Sequence, residues 1–227
     1  MKQATEARRL LRAHRYGALS TLSVKLAGYP FGSITPYMVD HDGSLIIQIS
    51  ALAEHTRNIA HDNRVSLITH NQDDPAIQMQ GRVTVTGNAE RLDQAQPRYI
   101  RHFPDAAFLA TLDFSFYRIT PVAIRYIGGP GRVHWIDTDD YPAPQAADFI
   151  RHEERLLDDI NTRQAGIVHR LLLQHGLDAD DAVVFSLDCD GLDIRCRQRV
   201  HRLNLSATLE DPLQFERLST LDCRLAA

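Results

Sequence analysis

Residues 46–71 read IIQISALAEHTRNIAHDNRVSLITHN, a pattern of strand, short helix and second strand. Ile46, Ile47 and Ile49 form one apolar β-branched run, and Val65, Leu67 and Ile68 form another. Between them, Leu52 to Asn63 carries Ala, Leu, Glu, His and Arg with no Pro or Gly, which predicts a helix of two or three turns. A strand that turns directly into a helix start leaves backbone N–H groups without helical partners. Such a turn suits an anion, phosphate above all. Ser50, Thr56, Arg57 and Asn58 add donors within one or two turns. The spacing alone leaves an ordinary helix start open beside the phosphate seat.

Outward from this stretch, the first half of the chain is β-rich. Runs at Gly17–Val24, Phe31–Val39, Ser44–Ser50, Val65–Thr69, Ile77–Asn88 and Ile119–Ile127 read as strands. His41-Asp42-Gly43 reads as a hairpin turn. Short strands at this spacing predict a barrel rather than a parallel sheet. A helical interruption is expected at Asp93–His102, continuing past Pro104 to about Leu112. Residues 3–15 read as an amphipathic helix with Ala4, Ala7, Leu10 and Leu11 on one side. Its Arg8, Arg9, Arg12 and Arg15 read as a solvated face rather than a nucleic-acid surface.

Asp137–Asp148 (DTDDYPAPQAAD) is acidic, holds two prolines and lacks apolar periodicity, so it reads as a connection between domains. The pattern turns helical from Phe149, with Leu156, Leu157, Ile160, Val168 and Leu172 at helix-compatible spacing and Gly176 as a stop. Val183–Leu187 and Leu192–Cys196 flank a hairpin turn, His201–Leu209 gives a third strand, and Asp211-Pro212 opens a last helix. The expected domains are 1–136, a linker at 137–148, and a small α+β unit at 149–227.

Composition bounds the function. The chain has 227 residues, a hydrophobic fraction of 44% and a net charge of −4. Nothing in it favours a nucleic-acid or membrane surface, and no run reaches the roughly 18 apolar residues of a spanning helix. The N-terminus lacks the pattern of a signal peptide, so a cytoplasmic location is expected. Cys189, Cys196 and Cys223 make no disulfide framework and read as packing residues. Asp188, Asp190, Gly191 and Asp193 read as a hairpin rather than a calcium loop, because the glycine comes too early for an EF-hand. His55 and His61, and likewise His169 and His175, miss the i, i+4 spacing of a helical metal site. Serine-hydrolase and P-loop signatures do not occur.

The segments GYPFGSITPYMVDHDGSLIIQISALAEHTRNIAHDNRVSLIT from Gly28, QGRVTVTGNAERL from Gln80 and IGGPGRVHWI from Ile127 resemble the FMN-binding split-barrel superfamily, which includes pyridoxamine 5′-phosphate oxidase. Within it the chain is most similar to the haem-iron utilisation branch, which adds a small C-terminal α+β domain. The resemblance implies an antiparallel, Greek-key split β-barrel followed by that domain. It also implies a homodimer with FMN across the interface, acting as a flavoprotein oxidoreductase on a small-molecule substrate.

By the same resemblance, Ser33 and Thr35 would lie near the flavin ring, with plain strand residues as the alternative. Ser50, His55, Thr56 and Asn58 would hold the phosphate, with Arg57 beside them, and Gln80 and Arg82 would come from the partner chain. Vitamin B6 oxidation is disfavoured, because that branch brings more basic residues to its phosphates. The haem branch needs a histidine with a free ring nitrogen. Its second domain opens with a pattern like H-M-N-x-D-H, and the matching stretch here is Asp159-Ile160-Asn161-Thr162-Arg163-Gln164, with both histidines replaced. His134 and His169 are the remaining ligand candidates. A haem-binding or haem-degrading protein, or a non-catalytic flavin module, therefore stands as the alternative to the flavin enzyme.

Overall fold

The computed structural model describes residues 2–71, 76–143 and 145–226. The chain divides into two compact units, Met1–Tyr141 and Pro142–Ala227. Of the expected linker, Pro144 lies outside the described residues, and 146–148 already belong to a helix. Residues 72–75, before the expected strand at Ile77–Asn88, also lie outside them.

The first unit is one antiparallel sheet with helices at its margins. Its strands are β1 (Tyr16–Leu22), β2 (Pro30–Pro36), β3 (Met38–Val39), β4 (Leu45–Ser50), β5 (Arg64–His70), β6 (Arg82–Leu92), β7 (Phe114–Ile127) and β8 (Val133–Ile136). The order is β2-β1-β5-β6-β7-β4-β3, with β8 added beside β7. The helices are α1 (Lys2–Ala13), α2 (Glu54–His61), α3 (Pro97–His102) and α4 (Ala106–Leu109).

The order forces the curvature. β2 and β3 stand at opposite ends of this path, yet Tyr37 alone separates them in sequence. One residue spans only about 3.5 Å per peptide step, so the two ends must be brought together by curling the sheet. β2 accordingly runs close beside β4 although the two share no ladder. The result is a split β-barrel. Tyr37 sits at this corner, 1% exposed, and its hydroxyl donates to the Leu11 carbonyl at 2.7 Å. The expected single strand Phe31–Val39 is therefore two strands, because the chain must leave one edge and enter the other.

Period-two alternation fills the barrel. Leu19, Leu67, Val85, Ile124 and Ile136 are register partners in one row across β1, β5, β6, β7 and β8. Four of them are fully buried and Ile136 nearly so. Each such side chain contributes about 1.5–3 kcal/mol on leaving water. Gly87 marks a bulge where β6 meets β7, and a Cβ there would lie 2.2 Å from the Thr120 carbonyl oxygen. Gly43 closes the expected hairpin turn with φ of 86°, in the left-handed region that favours glycine.

Several expectations need correction. Ile77–Met79 is a 3-10 turn and β6 starts only at Arg82, so Gln80 precedes the strand. β7 begins at Phe114, earlier than expected, and β8 follows the glycine-rich turn at 128–131. The arginines of α1 are not a solvated face. Arg8 and Arg12 are buried, and Arg8 donates to the Tyr141 carbonyl at 2.9 Å. Arg15, just past the helix, donates to the His102 carbonyl and lies 4.7 Å over the Phe103 ring. Long stems let arginine cover apolar surface while its fork finds carbonyls.

The second unit packs α5 (Ala146–Arg163) and α6 (Ala165–Gln174) with the sheet β12-β11-β10-β9. These strands are β9 (Val183–Asp188), β10 (Gly191–Cys196), β11 (Arg199–Leu205) and β12 (Cys223–Leu225). The segment opened by Asp211-Pro212 is 3-10 rather than α-helical, with a kink at Arg217. Gln164 explains the break between α5 and α6. Its buried amide donates to Asp159 at 2.8 Å and the Phe215 carbonyl at 3.0 Å, and its oxygen accepts from the Leu218 N–H at 2.9 Å. The three cysteines are free and buried in this unit.

Candidate functional site

The strand-to-helix turn forms as the sequence predicts, and an acidic side chain of the protein itself sits at it. β4 ends at Ser50 and α2 begins at Glu54. The Ser50 hydroxyl donates to the Asp113 carboxylate and accepts from the Leu52 N–H at 3.1 Å. The Ala51 N–H donates to the Asp113 carbonyl at 2.8 Å. The Ser50 hydroxyl chiefly, with the backbone N–H groups of Asp113, Leu52 and Ala51, holds the Asp113 carboxyl below the usual carboxylate range. An internal anion thus stands where a cofactor phosphate was expected.

Two of the other expected phosphate donors, Thr56 and Asn58, face inward. The Thr56 hydroxyl donates to the Ser50 carbonyl at 2.6 Å. Asn58 is fully buried, donating to the Thr21 hydroxyl at 2.9 Å and accepting from the Val24 N–H at 3.0 Å. These bonds tie α2 to the end of β1. Arg57 is exposed and pairs with Glu54 at 3.6 Å, one helical turn away. His55 is half-buried, and burial lowers its pKa, which favours the neutral imidazole at neutral pH.

A cleft of about 340 Å3 adjoins the turn, with Ile49, Thr56, Leu112, Asp113 and Tyr117 among its walls and Arg91 as its cation. Leu52 of the same turn, Phe108 of α4 and Leu112 of the loop before β7 are exposed apolar side chains. Sequence reasoning missed Asp113 and Arg91. No local spacing joins either to Ser50, since strand pairing brings them there.

The remaining expected residues are spread over the barrel unit. Ser33 and Thr35 pair with Leu19 and Gly17, so they lie on the core side of edge strand β2. The Ser33 Oγ atom is buried without a hydrogen-bond partner, while Thr35 donates to the Pro36 carbonyl at 3.2 Å. Arg82 lies opposite His70 and Ile127, on the other face of the sheet from the core row. Among the described residues, none of Ser33, Thr35, Gln80 and Arg82 shares a hydrogen bond with the turn at Ser50.

The histidine candidates separate as well. His134, on β8, is half-buried and stacks on Tyr126 with ring centroids 6.5 Å apart and an 18° interplanar angle. His169 is exposed on α6, in the other unit. The stretch that matches the lost histidine pattern is structural. Asn161 clips onto the Val184 backbone through bonds of 2.8 and 2.9 Å, and Gln164 is engaged as described above. In the β9–β10 turn, ligand atoms of Asp188, Cys189 and Asp190 lie within 4.8 Å of one another, all buried. Arg202 supplies the neighbouring positive charge, at 3.0 Å from Asp188 and 3.1 Å from Asp193.

Residues 1–143 match the CREG β-barrel family, and the chain belongs to that family. It is 29% identical over 203 residues to the chloroplastic heme oxygenase HOZ of Arabidopsis thaliana. The match covers 84% of this chain and 62% of that protein, so the chain spans less than two thirds of its curated relative. A crystal structure of an Agrobacterium tumefaciens protein of unknown function superposes with a TM-score of 0.73 at 25% identity, covering 96% of this chain and 94% of that one. The heme binding protein of Mycobacterium smegmatis gives a TM-score of 0.56 at 25% identity, covering 96% and 93%. Among the described residues, no helix is long and apolar enough to cross a membrane.

Proposed function

We propose that this member of the CREG β-barrel family binds haem, and that it carries haem or opens it oxidatively. The observation that carries the reading is its likeness, along most of its length, to two proteins named for haem. The turn at Ser50 supports it by contrast. There the Asp113 carboxylate already takes the Ser50 hydroxyl, and Thr56 and Asn58 donate to other groups of the chain. A flavin phosphate and this carboxylate are like charges, which repel. The flavin oxidoreductase keeps support at the level of the superfamily alone.

The residues of the barrel unit fit the chemistry of haem in part. Iron takes a neutral imidazole nitrogen, and burial keeps His55 in that form. His134 is the second imidazole of this unit we assign as a ligand candidate, and Arg91 is a cation suited to a propionate. Haem would bring the redox-active iron. The chain's own part is to supply the axial nitrogen, apolar cover and a counter-charge. A cytoplasmic homodimer remains part of the proposal. Ile34 and Trp135, both 68% exposed, end a row that crosses the outer face through Ala18, Ile68, Thr84 and Arg125, an apolar edge for a second copy to cover.

The test is an absorbance titration of the purified chain with haemin, and in parallel with FMN. The expected result is a saturable Soret band, shifted or lost in His55→Ala or His134→Ala and unchanged in His169→Ala. Saturable FMN binding without haemin binding overturns the proposal and restores the flavin reading. With haemin bound, an added electron donor and oxygen distinguish the two roles. Loss of the Soret band with release of iron supports oxidative opening, and a stable band supports carriage.

A further inference from the structure

The second unit contains a cavity that the haem reading does not use. Its volume is about 550 Å3, and it lies between the turn after α6 and the β10–β11 hairpin. That size falls in the range of roughly 300–1,000 Å3 typical of small-molecule sites. Its walls carry Asp178 on one side and Cys196, Arg197, Gln198, Arg199 and His201 on the other.

The direct ion pairs on these walls all fall to one arginine. Arg197 holds the hairpin turn with φ of 53°, a strained left-handed conformation for a residue with a side chain. Its guanidinium spans the mouth of the cavity to Asp178 at 3.3 Å and Asp180 at 2.5 Å. Two carboxylates therefore answer this one cation. The Asp180 N–H first, and then Arg197, keep the Asp178 carboxyl below its usual range and ionised. Arg199 feels the Asp178 charge only through space, behind Arg197. Among the described residues it makes no ion pair and no side-chain hydrogen bond, and neither does His201. Burial, and next the Asp178 charge, push the Cys196 thiol up, so it adds no negative charge to the wall.

An arginine without a hydrogen-bonded carboxylate on an open convex surface is ordinary. Here it lines a concavity together with an amide and an imidazole, three donor groups on one hairpin. A guanidinium fork matches the spacing of oxyanion oxygens. We propose that this cavity binds a small molecule through an oxyanion, phosphate or carboxylate, with Arg199 as its ion-pair partner and Gln198 and His201 as hydrogen-bond donors. The site is independent of haem binding in the barrel.

The test is isothermal titration of the full chain, at matched ionic strength, with inorganic phosphate, with citrate and with chloride as the control. Saturable binding of phosphate or citrate is expected, and whichever binds identifies the anion. Arg199→Ala should weaken it tenfold or more. Gln198→Glu, which sets a like charge beside the anion, should weaken it similarly. Both positions are exposed, so melting temperatures without anion should match the parent. The proposal is overturned if neither anion binds above the chloride control, or if binding survives both substitutions.

Discussion

The Ser50 hydroxyl donates to the Asp113 carboxylate across 63 residues of sequence. Ser50 ends β4 and Asp113 immediately precedes β7, and these strands are antiparallel neighbours with Ser50 opposite Phe114. The ladder therefore delivers an acid to the one place in the barrel where the sequence promised an anion. This geometry turns the phosphate question into one about Asp113.

Replacing Asp113 with Asn tests that relation through pH. Its carboxyl is held below the ordinary value, so its contribution to stability is complete above about pH 4, the unfolded value. It is lost as the pH falls through the lower folded value. Urea midpoints measured from pH 7 down to pH 3 should fall less in Asp113→Asn than in the parent. The same variant should bind inorganic phosphate or FMN no more weakly than the parent, because it removes a repelling charge. Weaker FMN binding in Asp113→Asn would show that Asp113 supports the cofactor.

Asn58→Ala separates a structural role from a ligand role. The substitution strips partners from the Thr21 hydroxyl and the Val24 N–H at a fully buried position. Each loss costs about 1–3 kcal/mol, so a total of roughly 2–6 kcal/mol is expected in urea unfolding, with the slope unchanged. An unchanged midpoint would mean that Asn58 does not secure α2.

Arg202→Met probes the second unit. The guanidinium is 3% exposed and serves two carboxylates that are 1% and 6% exposed. Removing it takes a buried counter-charge from both carboxylates, at a cost of about 3–5 kcal/mol. A pulse of protease should then cleave within residues 142–227 first. Cleavage at parental rates would show that the pair adds nothing to this unit.

His55 gives a second pH signature of opposite origin. Burial lowers its pKa, so the folded state resists protonation. Stability should be unaffected above about pH 6.5, the unfolded value, and fall as the pH drops from there through the lower folded value. His55→Gln should flatten that decline. Bound haemin should steepen the pH dependence of the parent if His55 is the iron ligand, because the proton and the metal then compete for one nitrogen. A Soret band indifferent to both pH and His55→Gln would remove it from the candidates.

Much of the fold was legible because its signals are local. β-rich runs marked most of the strands, and Gly43 and the Asp188–Gly191 turn announced their hairpins. The helix between β4 and β5 followed from composition alone. Boundaries failed where a single residue changes role. Tyr37 looked like mid-strand, since its neighbours are extended on both sides, and only the curl of the sheet makes it a corner.

The sequence by itself determined which residues alternate, where the chain turns, and the family that its ordered motifs resemble. Tertiary structure alone decided the partners of its polar groups. Arg8 looked like a solvated charge until the chain returned at Tyr141 to offer a carbonyl, and Gln164 replaced a family histidine yet proved a three-way clamp between helix and 3-10 turn. Ser50 and Asn58 read as phosphate donors, and their partners in the fold are the distant Asp113, Thr21 and Val24. Periodicity encodes which way a side chain points, while a hydrogen bond depends on which distant segment arrives there. That arrival is set by strand order and packing, which no spacing within a single stretch contains.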